Sequence, residues 1–385
     1  MEPAEGLSLV VFYGGAFLMP LVASRVHAPA AVAEILYGLG LGALGLVHQS
    51  EVTTFLAELG FIYLMFLVGM EIDFNRIERE GTRTVLLASS VAVSILVSAA
   101  FVASQLGMRP FMALVLGSMS VGVLLVALVE AGVSQTRWGQ MILLVGCVGE
   151  FLTLLILTAF DLVTTYGVGI ELVIGAIEVA GLFVVAFAVL SLMRLAIWWF
   201  PHAFHRWVRE EDPSELGVRF GFVLMLGLSM TAVVAGLEAI LGAFVAGMLV
   251  SYLFRESGAL ETKLAAVGQG FFVPIFFINV GVAFRWGTLE NPAVVGRDLL
   301  ALAVASLVVK TVPALLLLLL RVPVRAVVAG AFLLATPLTL LVAIASLGSE
   351  LGLINPTRSS TVILLAIFTG VLFPMVFKLI APQPE

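Results

Sequence analysis

The chain is short of charge. Asp, Glu, Lys and Arg make up 11% of its 385 residues, whereas a water-soluble domain carries about 25%. Too few charges are present to cover a protein surface in water. Cysteine is nearly absent: Cys147 is the single one, which excludes an internal disulfide framework and a CxxC metal site. Histidine occurs four times, never deep in an apolar run. There is no HExxH zinc motif and no positioned Ser/His nucleophile pair. The expectation is no enzyme and no cofactor. The net charge of −6 comes without a basic arm or patch, which argues against a nucleic-acid partner. The opening MEPAEG lacks the positive stretch of a cleaved signal peptide, so the first apolar run is expected to be a retained helix.

Hydrocarbon is what the chain has in abundance. Hydrophobic residues reach 61% and the mean hydropathy is +1.17. A bilayer-spanning helix needs about 20 apolar residues, and such runs follow one another with little pause. About thirteen spans are expected on this length criterion, near 7–24, 28–46, 53–70, 84–106, 110–129, 138–160, 170–195, 218–236, 238–254, 264–284, 298–320, 326–346 and 359–380. The expected class is an all-α integral membrane protein in a lipid bilayer. The narrowest gap falls at Gly236–Glu238.

Charge placement tests that count. With the N-terminus outside, fourteen of the nineteen Lys and Arg fall in or beside cytoplasmic loops. The opposite loops hold only Arg109, Arg285, Arg297 and Arg358, and Lys310 lies inside a span. The positive-inside rule then places the N-terminus outside and the C-terminus in the cytoplasm. The longest connection, about 198–216, separates a first half (1–197) from a second (217–385) within a single membrane domain. No soluble regulatory domain is expected. Its WWFPHAFHRWVREEDPSE reads as an interfacial aromatic-basic anchor; pH sensing by His202 and His205 is the alternative.

Two spans carry breakers at their middles. In FMALVLGSMSVGVLLVALVEAG, Ser118, Ser120 and Gly122 interrupt an aliphatic run. In AFLLATPLTLLVAIASLGSE, Thr336, Pro337 and Thr339 do so, and Pro337 has no N–H to continue a helix. Backbone freed at membrane depth must be satisfied by protein or by a water-filled cavity. The two are the fifth and twelfth spans, one in each half and opposite in direction. Paired interrupted helices of an inverted repeat point to a transport site near the bilayer midplane; two ordinary kinked helices are the plainer reading.

A charge at the membrane centre costs at least about 2.5–3.5 kcal/mol on insertion scales, so an intramembrane ionisable residue is a functional candidate. Glu150 lies in MILLVGCVGEFLTLLILTAF and Lys310 in LLALAVASLVVKTVPALLLLLL. A carboxyl group in a low-dielectric setting can hold a proton until water or a cation arrives. Lys310 is its natural counter-charge, and a structural ion pair fixing helix packing is the plainer alternative. Glu34, Glu58 and Glu178 are lesser candidates. Glu71, Asp73, Glu78 and Glu80, beside arginines, read as a solvated cytoplasmic face. Cys147 shares a helix face with Glu150 and reads as packing.

Taken in order, HAPAAVAEILYGLGLG, FLAELGFIYLMFLVGMEID, GLEAILGAFVAGMLVS, GQGFFVPIFFINVGVAF, SLVVKTVPALL and ATPLTLLVAIASLGSELGLI resemble the second family of monovalent cation:proton antiporters. That family includes bacterial sodium/proton and potassium/proton exchangers, and the resemblance runs from about Leu7 to Ile380. It implies an inverted-repeat fold with two discontinuous crossing helices and a core domain beside a dimerisation domain. It also implies a homodimer working by elevator-like motion, in a plasma membrane of the bacterial type. Glu150 takes the position of the family's essential carboxylate and Lys310 that of its usual lysine. The implied crossing site includes Met119, Ser120, Thr336, Pro337 and Thr339.

Three departures stand out. Sodium-transporting members typically show Asp-Asp where this chain has Gly149-Glu150, and potassium-type members often show Gln-Asp. The crossing motif resembles Thr-Ser-Val-Gly, but Met119 replaces the first hydroxyl with a sulfur that hard alkali cations do not favour. Many potassium-type relatives also carry a cytoplasmic nucleotide-binding domain that is not expected here. One carboxylate carries one proton or one monovalent cation, so one-for-one electroneutral exchange of Na⁺ or K⁺ for H⁺ by alternating access is expected. Loss of a proton from Lys310 in each cycle would make it electrogenic. The rival readings are a sodium-coupled symporter of an organic solute, with Gly149 and Met119 making room for it, and a channel or transport-inactive sensor.

Overall fold

The structure, a computed structural model, describes residues 3–26, 29–47, 50–72, 82–134, 136–167, 170–199, 214–254, 258–284, 292–320 and 322–382. Every regular element among them is helical. Eleven segments are long and apolar enough to cross a membrane, and the shorter apolar helices Ala30–Ala43 and Ala239–Leu253 complete the thirteen expected spans. His202 and His205, with most of the 198–216 connection, lie outside the described residues, as do Asp73, Glu78 and Glu80. The chain forms two compact units, each drawing on both sides of that connection.

The first unit comprises Met1–Leu21, Glu34–Arg79 and Thr158–Ala283. It holds most of α1 (Pro3–Val26) and α2 (Ala30–Ala43), then α3 (Glu51–Met70), α7 (Ile170–Trp199), α8 (Leu216–Val234) and α9 (Ala239–Leu253). Its last helix, α10, runs over Gly258–Val267, widens through a π turn at Gly268–Phe272 and continues over Val273–Val282. Ser50 and Thr53 open α3 with reciprocal side chain-to-amide hydrogen bonds of 3.2 and 2.9 Å, which satisfy two N–H groups left over at a helix start. The narrow gap before α9 is made by Gly236 in a left-handed conformation (φ 73°). Leu237 N–H then reaches the Ala232 carbonyl at 2.9 Å, a C-terminal cap that glycine permits at little steric cost. Without water to drive association, membrane helices gain from close backbone approach at small residues. Gly247 on α9 shows this: a Cβ there would overlap the Phe66 carbonyl and sit 2.9 Å from Met70 N on α3.

One reading of this unit needs correction. Glu71, the cap residue just after α3, is not part of a solvated face. Its Oε2 is buried with no hydrogen-bond partner among the described residues, and burial first, then the nearby Glu261 carboxylate, pushes its carboxyl up to about 8. The following residue is enclosed as well, because Ser251 Oγ on α9 donates to the Ile72 carbonyl at 2.6 Å. Of the lesser candidates, Glu34 is buried on α2, Glu58 is exposed, and Glu178 is half-buried on α7.

The second unit comprises Val22–Ala33, Glu80–Leu157 and Phe284–Glu385. It contains α4 (Thr82–Gln105), the fifth span as α5a (Phe111–Gly117) and α5b (Val121–Glu130), and most of α6 (Arg137–Tyr166). Next come α11 (Pro292–Ala314), the twelfth span as α12a (Val324–Leu334) and α12b (Leu338–Glu350), and α13 (Pro356–Ile380). Pro313 in α11 cannot donate to the carbonyl four residues back. That carbonyl, of Val309, instead accepts from Ser98 Oγ of α4 at 3.0 Å. The exchange ties the two helices together immediately before Lys310, and α11 tightens after the proline into a 3₁₀ turn over Leu315–Leu320.

Candidate functional site

Both expected breaks are present, and all the residues singled out around them lie in the second unit. The fifth span unwinds at Ser118, Met119 and Ser120, with Ser120 fully extended (φ −138°, ψ 137°). The twelfth unwinds at Thr336 and Pro337. Both Thr336 N and Thr336 Oγ1 donate to the Leu333 carbonyl, so α12a is capped by its own next residues. Leu341 N–H returns to the Pro337 carbonyl at 2.8 Å to start α12b. The two broken helices meet at Ser120 and Thr339, whose hydroxyl oxygens are 2.8 Å apart. Thr336 and Pro337 therefore shape the break, and Thr339 makes the crossing.

A break at membrane depth exposes a positive helix start and a negative helix end. In the fifth span each end receives a side chain of opposite sign. Val121 N–H, first residue of α5b, donates to Glu150 Oε2 at 3.0 Å. At the other lip, Lys310 Nζ donates to the carbonyl of Leu116, near the end of α5a. Lys310 also donates to Ser306 Oγ at 2.8 Å. Glu150 is 2% exposed and Lys310 not at all, so these partners stand where water would otherwise be. The two charges are thus held at opposite lips of one break, each by backbone. Glu150 adds a carboxylate at the start of α5b, next in sequence to the crossing Ser120.

Met119 and Gly149 also meet. A Cβ on residue 149 would lie 2.5 Å from Met119 Sδ and closer still to its Cε. The room that a glycine beside Glu150 leaves is already filled by the thioether. One turn on, Thr153 Oγ1 donates to the Gly149 carbonyl at 2.6 Å, and Cys147 is half-buried.

A carboxylate and two hydroxyls thus gather at the crossing of two interrupted membrane helices. Residues 13–381 match the model of one family, described as sodium/hydrogen exchanger, transmembrane. The chain belongs to that family. The chain is 32% identical to the putative Na⁺/H⁺ antiporter YjbQ of Bacillus subtilis, over 98% of this chain and 63% of that protein's length. It is 27% identical to the probable Na⁺/H⁺ antiporter 3 of Methanocaldococcus jannaschii, over 94% of this chain and 93% of the relative. In fold it is similar to the sodium proton antiporter MjNhaP1 from M. jannaschii, with a TM-score of 0.66 and 15% identity. That match covers 97% of this chain and 95% of the other.

Some residues of this candidate site carry little or no signal in the sequence pattern. Ser306 stands one helical turn before Lys310, and that spacing could have flagged it as a partner on the same face. The Leu116 carbonyl and the Val121 amide could not be found this way, because any residue type carries them.

Proposed function

We propose that this protein swaps a monovalent cation for protons across a membrane, with the Glu150 carboxylate as the group for which both compete. The observation that carries this reading is the placement of Glu150, buried on the first N–H of α5b and adjoining the Ser120–Thr339 crossing. A proton and a dehydrated alkali cation are alternative ways of neutralising one buried carboxylate. The hydroxyls and freed carbonyls nearby are hard oxygen ligands suited to such a cation. One exchangeable carboxylate supports one-for-one, electroneutral turnover, with alternating access bringing Glu150 to each side in turn. Sodium is the proposed cation, since the relatives from B. subtilis and M. jannaschii are both described as Na⁺/H⁺ antiporters. A homodimer with its N-terminus outside and its C-terminus cytoplasmic, in a plasma membrane, completes the proposal. The organic-solute reading loses its support at Gly149, where Met119 occupies the space a solute would need.

The test uses proteoliposomes with an acid interior, to which sodium, potassium or lithium is added outside, with and without a potential clamp. Sodium should collapse the pH gradient in the wild type, the clamp should change nothing, and Glu150→Gln should be inactive. A gradient indifferent to every alkali cation would remove the proposal, and strong voltage dependence would remove its electroneutral part.

A further inference from the structure

The unwound turn of the fifth span presents three consecutive buried side chains, and they behave differently. Ser118 Oγ turns back to the Val115 carbonyl at 3.1 Å. Ser120 Oγ reaches across to Thr339. Met119, also without exposed surface, lays its side chain over Gly149, where even Cβ-to-Cβ separation would be only 3.3 Å. The next residue of α6, Glu150, is held by the amide of Val121, two residues beyond Met119. Neighbouring positions of α6 are therefore seated on alternate residues at the break, Gly149 under the thioether of Met119 and Glu150 on the amide of Val121, first residue of α5b.

We infer that Met119 is a specificity-determining residue whose thioether, seated on Gly149, restricts the volume and the number of oxygens available to a cation at Glu150. This deepens the exchange reading above and rests on it. An alkali cation leaving water must recover oxygen ligands, and a thioether is too soft to be one. Position 149 has no side chain to offer, and position 119 offers sulfur where oxygen would serve. The ligands left are the carboxylate, the crossing hydroxyls and freed backbone carbonyls. A small cation needs fewer oxygens and less space than a large one, so the plug favours sodium and lithium over potassium. Methionine suits the task because its flexible chain fills an irregular gap without strain.

The experiment compares wild type, Met119→Ala, Gly149→Ala and the double variant in proteoliposomes, reading sodium-driven and potassium-driven proton exchange in each. Shortening Met119 should raise potassium relative to sodium by about tenfold or more, the scale on which pockets sort ligands by a methylene or two. Gly149→Ala alone displaces the thioether toward the cation and should weaken sodium's apparent affinity by about tenfold. In the Met119→Ala background the same change should cost less than about threefold, because residues in contact are not additive. If Met119→Ala does not accumulate, Met119→Leu and Met119→Val replace it, with the potassium-to-sodium ratio rising from the larger to the smaller side chain. An active wild type with an unchanged ratio in the shortened variants overturns the inference and leaves the exchange reading standing. Equal effects of Gly149→Ala in both backgrounds overturn it as well. A wild type inert to every alkali cation overturns the exchange reading, and the inference with it.

Discussion

Ser306→Ala is the sharpest probe of how the lysine is held. The substitution removes the hydroxyl that accepts a 2.8 Å hydrogen bond from Lys310 Nζ and leaves the Leu116 carbonyl as its partner. Lys310 has no exposed surface, so water cannot replace the lost acceptor. A hydrogen bond to a charged group contributes about 1.5–3 kcal/mol, and losing one in a buried setting costs at least that much. The void left by one oxygen is small beside this, so the hydrogen bond decides the outcome. The second unit has roughly 190 residues, a size at which 1 kcal/mol moves the melting temperature by about 2–4 °C. The expected loss is about 3–12 °C. Thermal unfolding in detergent, followed by tryptophan fluorescence, would be compared for wild type, Ser306→Ala, Lys310→Met and the double variant. With methionine at 310 there is no donor, so adding Ser306→Ala should cost no more than about 0.5 kcal/mol. Equal losses in the two backgrounds would refute the reasoning.

Glu71 gives a pH-dependent counterpart. Its carboxyl, pushed up from 4.5 to about 8 in the fold, binds a proton more tightly there than in the unfolded chain. The resulting stabilisation is complete below pH 4.5 and is lost as pH rises through about 8. Glu71→Gln should therefore match wild type in acid and become the more stable protein above pH 8. The gap should be on the order of 2 kcal/mol once partial water access at this half-buried residue is allowed for; a gap that opens toward acid would contradict this. Gly247→Ala tests the contact of α3 and α9, because the new Cβ would meet backbone that cannot swing aside. It should cost about 1–3 kcal/mol in thermal unfolding, while Gly14→Ala, which faces open space on α1, should cost nothing. Similar losses for both would show that the helix contact is not the cause.

The spans were legible because they are apolar runs, eleven of them in helices long enough to cross a membrane, and a membrane leaves few other ways to satisfy the backbone. Both breaks were legible for a related reason. Pro337 cannot continue a helix, and the Ser118–Gly122 stretch interrupts an otherwise aliphatic span. Glu150 and Lys310 stood out because charge is rare at membrane depth. What holds them did not: Val121 and Leu116 act through main-chain atoms, which side-chain identity does not mark. Gly149 and Met119 were each visible as departures from a pattern, yet their contact joins positions on different helices, and only packing reveals that one fills the space of the other. Glu71 was misjudged because its charged neighbours in sequence suggested water, while the fold encloses one of its oxygens.

In the proposed cycle Glu150 alone exchanges a proton for a cation. Calorimetric titration of the purified protein with sodium, in two buffers of different ionisation enthalpy, counts the protons released per cation bound. One proton per sodium from wild type and none from Glu150→Gln is the predicted result. Proton release that persists in Glu150→Gln, or sodium binding without release in wild type, would contradict it.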